Sequence, residues 1–181
     1  DEKGEDRQAY VDHYAAEFQK IKKELNLSND AFIRTTSDAH KHAAQELWRR
    51  CEAKGDIYKK KYSGLYCVGC ESFKTEADLV EGKCPDHGKE PERVEEENYF
   101  FKLSNYQAYL EEYLSKEGVI VPEWRRLEAQ SFVQKGLFDF SISREKARLD
   151  WGIPVPGDEE QVMYVWFDAL TNYISTLGWP E

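Results

Sequence analysis

Between Ala9 and Leu25 the apolar residues Tyr10, Tyr14, Phe18, Ile21 and Leu25 recur at steps of four, four, three and four, the spacing of one helix face. A helix is predicted there. Ser37 can cap a second helix, Asp38 suits its positive end, Leu47, Trp48 and Cys51 form its apolar side, and Gly55 can close it in the left-handed conformation. From Asp56 to Val94, Gly, Cys, Lys and Pro interrupt every period, and no apolar run is long enough for a conventional core. Something else must organise this stretch. The aromatic run Asn98 to Leu103 then reads as a strand. Ser104 and Gln107 have capping-box spacing for a third helix with Tyr106, Leu110, Tyr113 and Leu114 on its apolar side. Pro122 suits the first turn of a fourth, with Trp124, Leu127 and Ser131 on one side and Gly136 as its stop.

The period then changes to two. Phe138, Phe140 and Ile142 alternate with Asp139, Ser141 and Ser143, which predicts a half-buried extended segment ending at Arg144. Two prolines and two glycines make Trp151 to Gln161 a loop or sheet edge. Val162 to Phe167 is a continuous apolar run of strand length, the mark of a strand covered on both faces in a mostly parallel sheet. Asp168 can cap a following helix that carries Leu170, Tyr173, Ile174 and Leu177 and stops at Gly178. The class expected is α/β, mixed in appearance, without internal repeats or sustained heptads.

The 181 residues, 40% hydrophobic and 14% aromatic, suffice for one or two compact units. A formal net charge of −10 argues against a stand-alone nucleic-acid binder. Arg49-Arg50, Lys59 to Lys61, Arg125-Arg126 and the series Arg144, Lys146, Arg148 read first as solvated surfaces. No apolar run approaches the roughly 18 to 20 residues that cross a bilayer, and the opening DEKGEDRQ lacks the features of a signal peptide. A soluble, cytoplasmic protein without membrane contact is expected.

Three of the four cysteines crowd together with a histidine: Cys67, Cys70, Cys84 and His87 spell C-x2-C, thirteen residues, then C-x2-H. Each two-residue spacing lets one tight turn aim two side chains at a single ion, and Gly69, Gly82 and Gly88 relax the backbone there. Three sulfurs and an imidazole suit tetrahedral zinc, and four protein ligands leave no position for an activated water, so the site is expected to be structural. Its binding free energy would replace the missing core. A redox C-x-x-C is disfavoured because the pair does not open a helix and has matching ligands downstream. Cys51, alone in a helical pattern, reads as core.

The flanking residues carry a resemblance. GDIYKKKYSGLYCVGCESF (Gly55 to Phe73), EENYFFKLSNYQ (Glu96 to Gln107) and SISR (Ser141 to Arg144) resemble the connective insertion of methionyl-tRNA synthetases. WGIPVPGD (Trp151 to Asp158), YVWFDALTNYIS (Tyr164 to Ser175) and FIRTT (Phe32 to Thr36) are similar to further elements of that family, over about Tyr10 to Pro180. The resemblance implies a class I synthetase that activates methionine with ATP and Mg and transfers it to tRNA, as a monomer. It implies a connective domain over 1–137 with its zinc knuckle at about 56–94, and a return over 138–181 into a nucleotide-binding parallel sheet. It also places Trp166, Ala169, Leu170 and Tyr173 around the methionine side chain and Arg144 near the active site, where a guanidinium can orient a carboxylate or phosphate. Leu170 stands where some relatives have Pro.

Neither a His-Ile-Gly-His-type nor a Lys-Met-Ser-Lys-Ser-type signature is found, so this stretch alone is expected to be an inactive piece with no catalytic residue of its own. Asp1 to Gly4 is read as the turn before the first helix. Two readings compete: a non-catalytic zinc-knuckle module for RNA or protein, which the acidic balance opposes, and a leucine- or valine-type synthetase, whose editing insertions are larger than this chain holds.

Overall fold

The structure is a computed structural model that describes residues 6–70 and 72–181. The turn expected at Asp1 to Gly4 lies outside the described residues.

Helix α1 (Arg7–Glu24) starts at Asp6, whose carboxylate accepts the Ala9 N–H at 2.8 Å. Its predicted apolar face exists as a helix face but is exposed along its length. Helix α2 (Asp38–Ala53) begins at the predicted Ser37 cap and ends before Gly55, which has φ +82°. Its inner face carries His40, Ala43, Ala44 and Trp48, spaced to line one side of a helix.

Strands β1 (Ile57–Cys67), β2 (Ser72–Lys74), β3 (Glu92–Phe101) and β4 (Phe140–Ser141) form an antiparallel sheet in the order β2-β1-β3-β4. β1 and β3 pair without interruption from Ile57 opposite Phe101 to Tyr66 opposite Glu92, making a long ribbon whose far end carries the cysteine turns. The sequence did not announce β1. Its lysines and Gly64 obscure the alternation, and aromatic contacts to both neighbouring strands hold it instead: Tyr58 stacks on Phe100 of β3 at 5.7 Å, and Tyr62 meets Phe73 of β2 edge-on at 4.5 Å. β3 likewise starts six residues ahead of the expected Asn98, since Val94 is the one buried apolar residue of that added stretch and its charged neighbours are held through the ladder.

A second antiparallel sheet, β5-β7-β6, comprises β5 (Ser143–Glu145), β6 (Pro154–Val155) and β7 (Asp158–Met163). The extended segment before Arg144 is therefore divided between two sheets at Ile142, which is fully buried, whereas Phe138 is exposed. The expected edge at Trp151 to Gln161 is the hairpin of β6 and β7, turning at Gly157 with φ +79°. Side chains tie the sheets together: Ser143 Oγ accepts from Tyr99 N at 2.8 Å, and Gln161 Nε2 donates to Glu97 O at 2.7 Å.

The mixed α/β class stands, but the last apolar run folds differently from its expectation. β7 stops at Met163; Tyr164 N donates to Ile142 O at 2.8 Å, and the chain then enters α5 (Val165–Leu170) and α6 (Asn172–Ser175). A short apolar run fits a strand or a covered helix equally well. Tyr164, in extended conformation, is the cap, and Asp168 lies inside α5. All pairings among the described residues are antiparallel, because a tight hairpin delivers β7 beside β6.

Trp48 centres the main core with Ala44, Ile57, Ile142, Ile153, Val155 and Met163. Its ring meets Tyr99 and Phe167 edge-on, each at 5.3 Å, and half-buried Cys51 packs at the margin as expected. A smaller cluster of Leu114, Val133 and Leu137 joins α3 (Gln107–Ser115) to α4 (Glu123–Gln134). The capping box is not formed: Ser104 Oγ donates to Asp139 at 2.6 Å, while Gln107 Nε2 donates to Val133 O at 2.8 Å. Helix α4 also turns the opposite face inward. Trp124 and Leu127 are exposed, and Arg126 is buried because its guanidinium donates to the Leu114 carbonyl at the end of α3.

Candidate metal centre and amino-acid face

The ribbon delivers Cys67 as the last residue of β1, and Cys70 follows one turn later. On the return side, Gly88 N donates to Cys84 O at 2.7 Å and His87 N at 3.3 Å, a tight turn that places Cys84 and His87 together. The ligand atoms of Cys67, Cys70, Cys84 and His87 all lie within 4.8 Å of one another. Cys70 Sγ is 3.5 Å from Cys84 Sγ and 3.3 Å from His87 Nδ1, and Nδ1 is 3.8 Å from both Cys67 Sγ and Cys84 Sγ. Those separations lie close to the edges, about 3.5 to 3.8 Å, of a tetrahedron built with metal bonds of about 2.0 to 2.3 Å, the Cys70–His87 pair being slightly shorter. The four residues thus form a group compatible with a metal ion, with the imidazole offering Nδ1.

The surroundings suit a cation. Desolvation, and then the neighbouring Cys84 and Cys67 thiols, push the Cys70 thiol up to about 12, while a backbone hydrogen bond from Cys70 lowers Cys67 and the His87 hydrogen bond lowers Cys84. Thiolates crowded this closely without a counter-charge oppose one another's ionisation. Gly69 has a steric duty as well: a Cβ there would stand 2.4 Å from His87 Cδ2.

The residues expected at a substrate pocket separate into three environments. Trp166, Leu170 and Tyr173 project from one face of α5 and α6 and are 57%, 57% and 74% exposed. Ala169 instead borders a cavity of about 400 Å³ that is also lined by Thr35, Thr36, Lys41, Trp151 and Asp168. Arg144, only 6% exposed, lies in β5; its guanidinium sits 4.0 Å from the Tyr164 ring centre and 5.7 Å from that of Phe73, next to the cysteine turns. Its Nη1 donates to Ser141 Oγ at 2.8 Å and Ser143 O at 2.7 Å, and Nε is buried without a hydrogen-bond partner among the described residues. The sequence reading missed Phe73, His40 and the cavity position of Asp168. An Asp after an apolar run reads first as a cap, and nothing local marks a histidine on a helix as buried.

A metal-compatible knuckle at the end of a long ribbon, together with a helix–sheet core that leaves an aromatic helix face exposed, defines a mixed α/β protein with a candidate metal site. A profile of the family described as tRNA synthetases class I (M) matches residues 1–93 and 86–180, and the chain belongs to that family. It is 46% identical to a Methionine--tRNA ligase of Clostridium perfringens over 99% of its own length and 28% of that protein, and 48% identical to one of a Nostoc species over 98% and 34%. It matches a structure of Mycobacterium tuberculosis methionyl-tRNA synthetase in complex with methionyl-adenylate with a TM-score of 0.86 and 44% identity, covering 98% of this chain and 36% of that one. The chain thus spans about a third of its relatives' length.

Proposed function

We propose that this chain is part of a methionine–tRNA ligase that activates methionine with ATP and Mg and passes it to tRNA. The observation that carries this reading is near-complete coverage of the chain, at 44% identity and a TM-score of 0.86, by a methionyl-tRNA synthetase holding methionyl-adenylate. On this reading residues 1–137 are the connective domain, with the knuckle at about 56–94, and 138–181 are the return into the nucleotide-binding fold. The protein works as a monomer in the cytoplasm, where its free cysteines are kept reduced.

The metal is zinc, and its role is structural. Three sulfurs and one nitrogen gathered within 4.8 Å of one another support that assignment, and four protein ligands would fill a tetrahedral site.

Trp166, Leu170 and Tyr173 wall the methionine side chain, the two aromatic residues supplying the polarisable contacts, and Ala169 borders the adjoining cavity. Their shared helix face and exposure fit a wall that a ligand covers. Arg144 is a buried cation held between aromatic rings, with an uncommitted Nε suited to a carboxylate or phosphate oxygen. ATP, with Mg, supplies the activating group. The test is methionine-dependent ATP–pyrophosphate exchange by the full-length protein carrying this segment. Trp166→Ala and Tyr173→Ala are each expected to lower methionine kcat/KM about tenfold to a hundredfold with little change in ATP KM. Unchanged methionine parameters in folded variants would remove both residues from the site.

A further inference from the structure

His40 lies in the first turn of α2, where Ser37 Oγ accepts its backbone N–H at 3.3 Å. Its ring is completely buried and reaches two helices late in the chain. Nδ1 is 3.0 Å from Ser175 Oγ at the end of α6, and Nε2 is 3.5 Å from Asp168 Oδ1 in α5. Nε2 and Oδ1 are both buried and neither has a hydrogen-bond partner among the described residues. A neutral imidazole donates from one nitrogen only, a carboxylate only accepts, and a serine hydroxyl can do either. The arrangement that serves all three groups has Ser175 donating to Nδ1, leaving Nε2–H directed at Asp168.

A fully buried ring cannot touch a ligand, but Asp168 can, because it borders the cavity shared with Ala169, Trp151 and Lys41. The two helices held by the ring also carry Trp166, Leu170 and Tyr173. We propose that His40 is a positioning residue for the amino-acid site: it clamps α5 and α6 to α2 and sets the direction of the Asp168 carboxylate at the cavity edge. This rests on the reading of the α5–α6 face as the methionine wall. An apolar side chain could fill the same space with less desolvation cost, but could not orient a carboxylate. The 3.5 Å separation exceeds an ordinary N–H···O bond and belongs to the loose contacts that tighten when a ligand arrives.

The test uses the full-length enzyme with His40→Ala, His40→Gln and His40→Asn, measuring methionine affinity by calorimetry and the KM values for methionine and ATP by pyrophosphate exchange. Gln can return a donor near the place of Nε2, facing Asp168; Asn reaches only near Nδ1. His40→Ala is expected to weaken methionine binding about tenfold, with ATP KM unchanged, and Gln to recover most of that loss while Asn does not. Adding Asp168→Asn to His40→Ala should cost little more than either change alone. A purely structural histidine predicts lower melting temperatures with unchanged methionine affinity in the folded fraction, and that result overturns the proposal. If the Ala variant does not fold, Gln against Asn decides the matter, equal affinities counting against it. A wild-type enzyme that binds no methionine overturns the functional reading and this inference together, whereas insensitivity of binding to His40 overturns the inference alone.

Discussion

The two ends of the β1–β3 ribbon are held by different physics. At the near end Trp48, Ile57, Ile142 and Met163 close an apolar core in which aromatic rings meet edge-on. At the far end Val68 and Val80 face solvent, and what converges is three thiols and an imidazole. Packing energy is distributed over many atoms, so the core end should yield gradually to substitution. Energy concentrated in four metal bonds should vanish as a unit. The uninterrupted ladder between them transmits position, so the knuckle can be built by chemistry while its location is set by the core.

Metal removal should separate the two ends most sharply. Structural zinc in small knuckles binds with about 10 to 16 kcal/mol, and on the proposed zinc reading that free energy would go to the cysteine turns. Chelation, or Cys84→Ala, should abolish amide hydrogen-exchange protection over residues 66–90 and leave that of α2 intact. Loss of protection throughout α2 would show that the two ends fold as one unit.

Trp48→Ala should do the reverse. Truncating a fully buried tryptophan that two rings contact costs about 3 to 5 kcal/mol, to be read by denaturant unfolding, while metal stoichiometry in the folded fraction stays unchanged. Gly69→Ala is subtler, because the added methyl group must displace the His87 ring from 2.4 Å away. Metal affinity should fall about tenfold to a hundredfold in competition with a chromophoric chelator, with core stability preserved.

The smallest effect concerns the polar tie between ribbon and hairpin. Lys59 Nζ lies 2.8 Å from Asp158 and Tyr99 Oη 3.1 Å, and the Lys59 hydrogen bond is the main influence holding the Asp158 carboxyl below its usual range. A carboxylate with a depressed folded-state pKa contributes stability above its unfolded value and loses it as pH falls through the folded one. The stability gap between wild type and Lys59→Met should therefore be at most about 1 kcal/mol at neutral pH and shrink below about pH 4. A gap that persists unchanged in acid would assign the effect to packing by the lysine stem.

The same contrast explains what could be read in advance. Cys67, Cys70, Cys84 and His87 were legible because metal geometry imposes a local spacing, and Ser37 and Gly55 because caps are local too. β1 was not legible, since its long partner β3 pairs with it from 26 (Tyr66–Glu92) to 44 (Ile57–Phe101) residues away and its own lysines mask the alternation. The inward face of α4 was misread because a buried arginine serving the last carbonyls of α3 outweighed Trp124 and Leu127. For the proposed amino-acid site, resemblance alone supplied Trp166, Ala169, Leu170, Tyr173 and Arg144. The clasp from His40 to Asp168 joins positions that only the tertiary fold brings together.

The central claim is that one tetrahedral metal replaces a hydrophobic core at the knuckle, and native mass spectrometry of protein purified without added metal tests it most directly. The account predicts one zinc per chain, retained through mild desalting and lost together with knuckle protection on chelation. Metal-free protein with residues 66–90 still protected from exchange would contradict it.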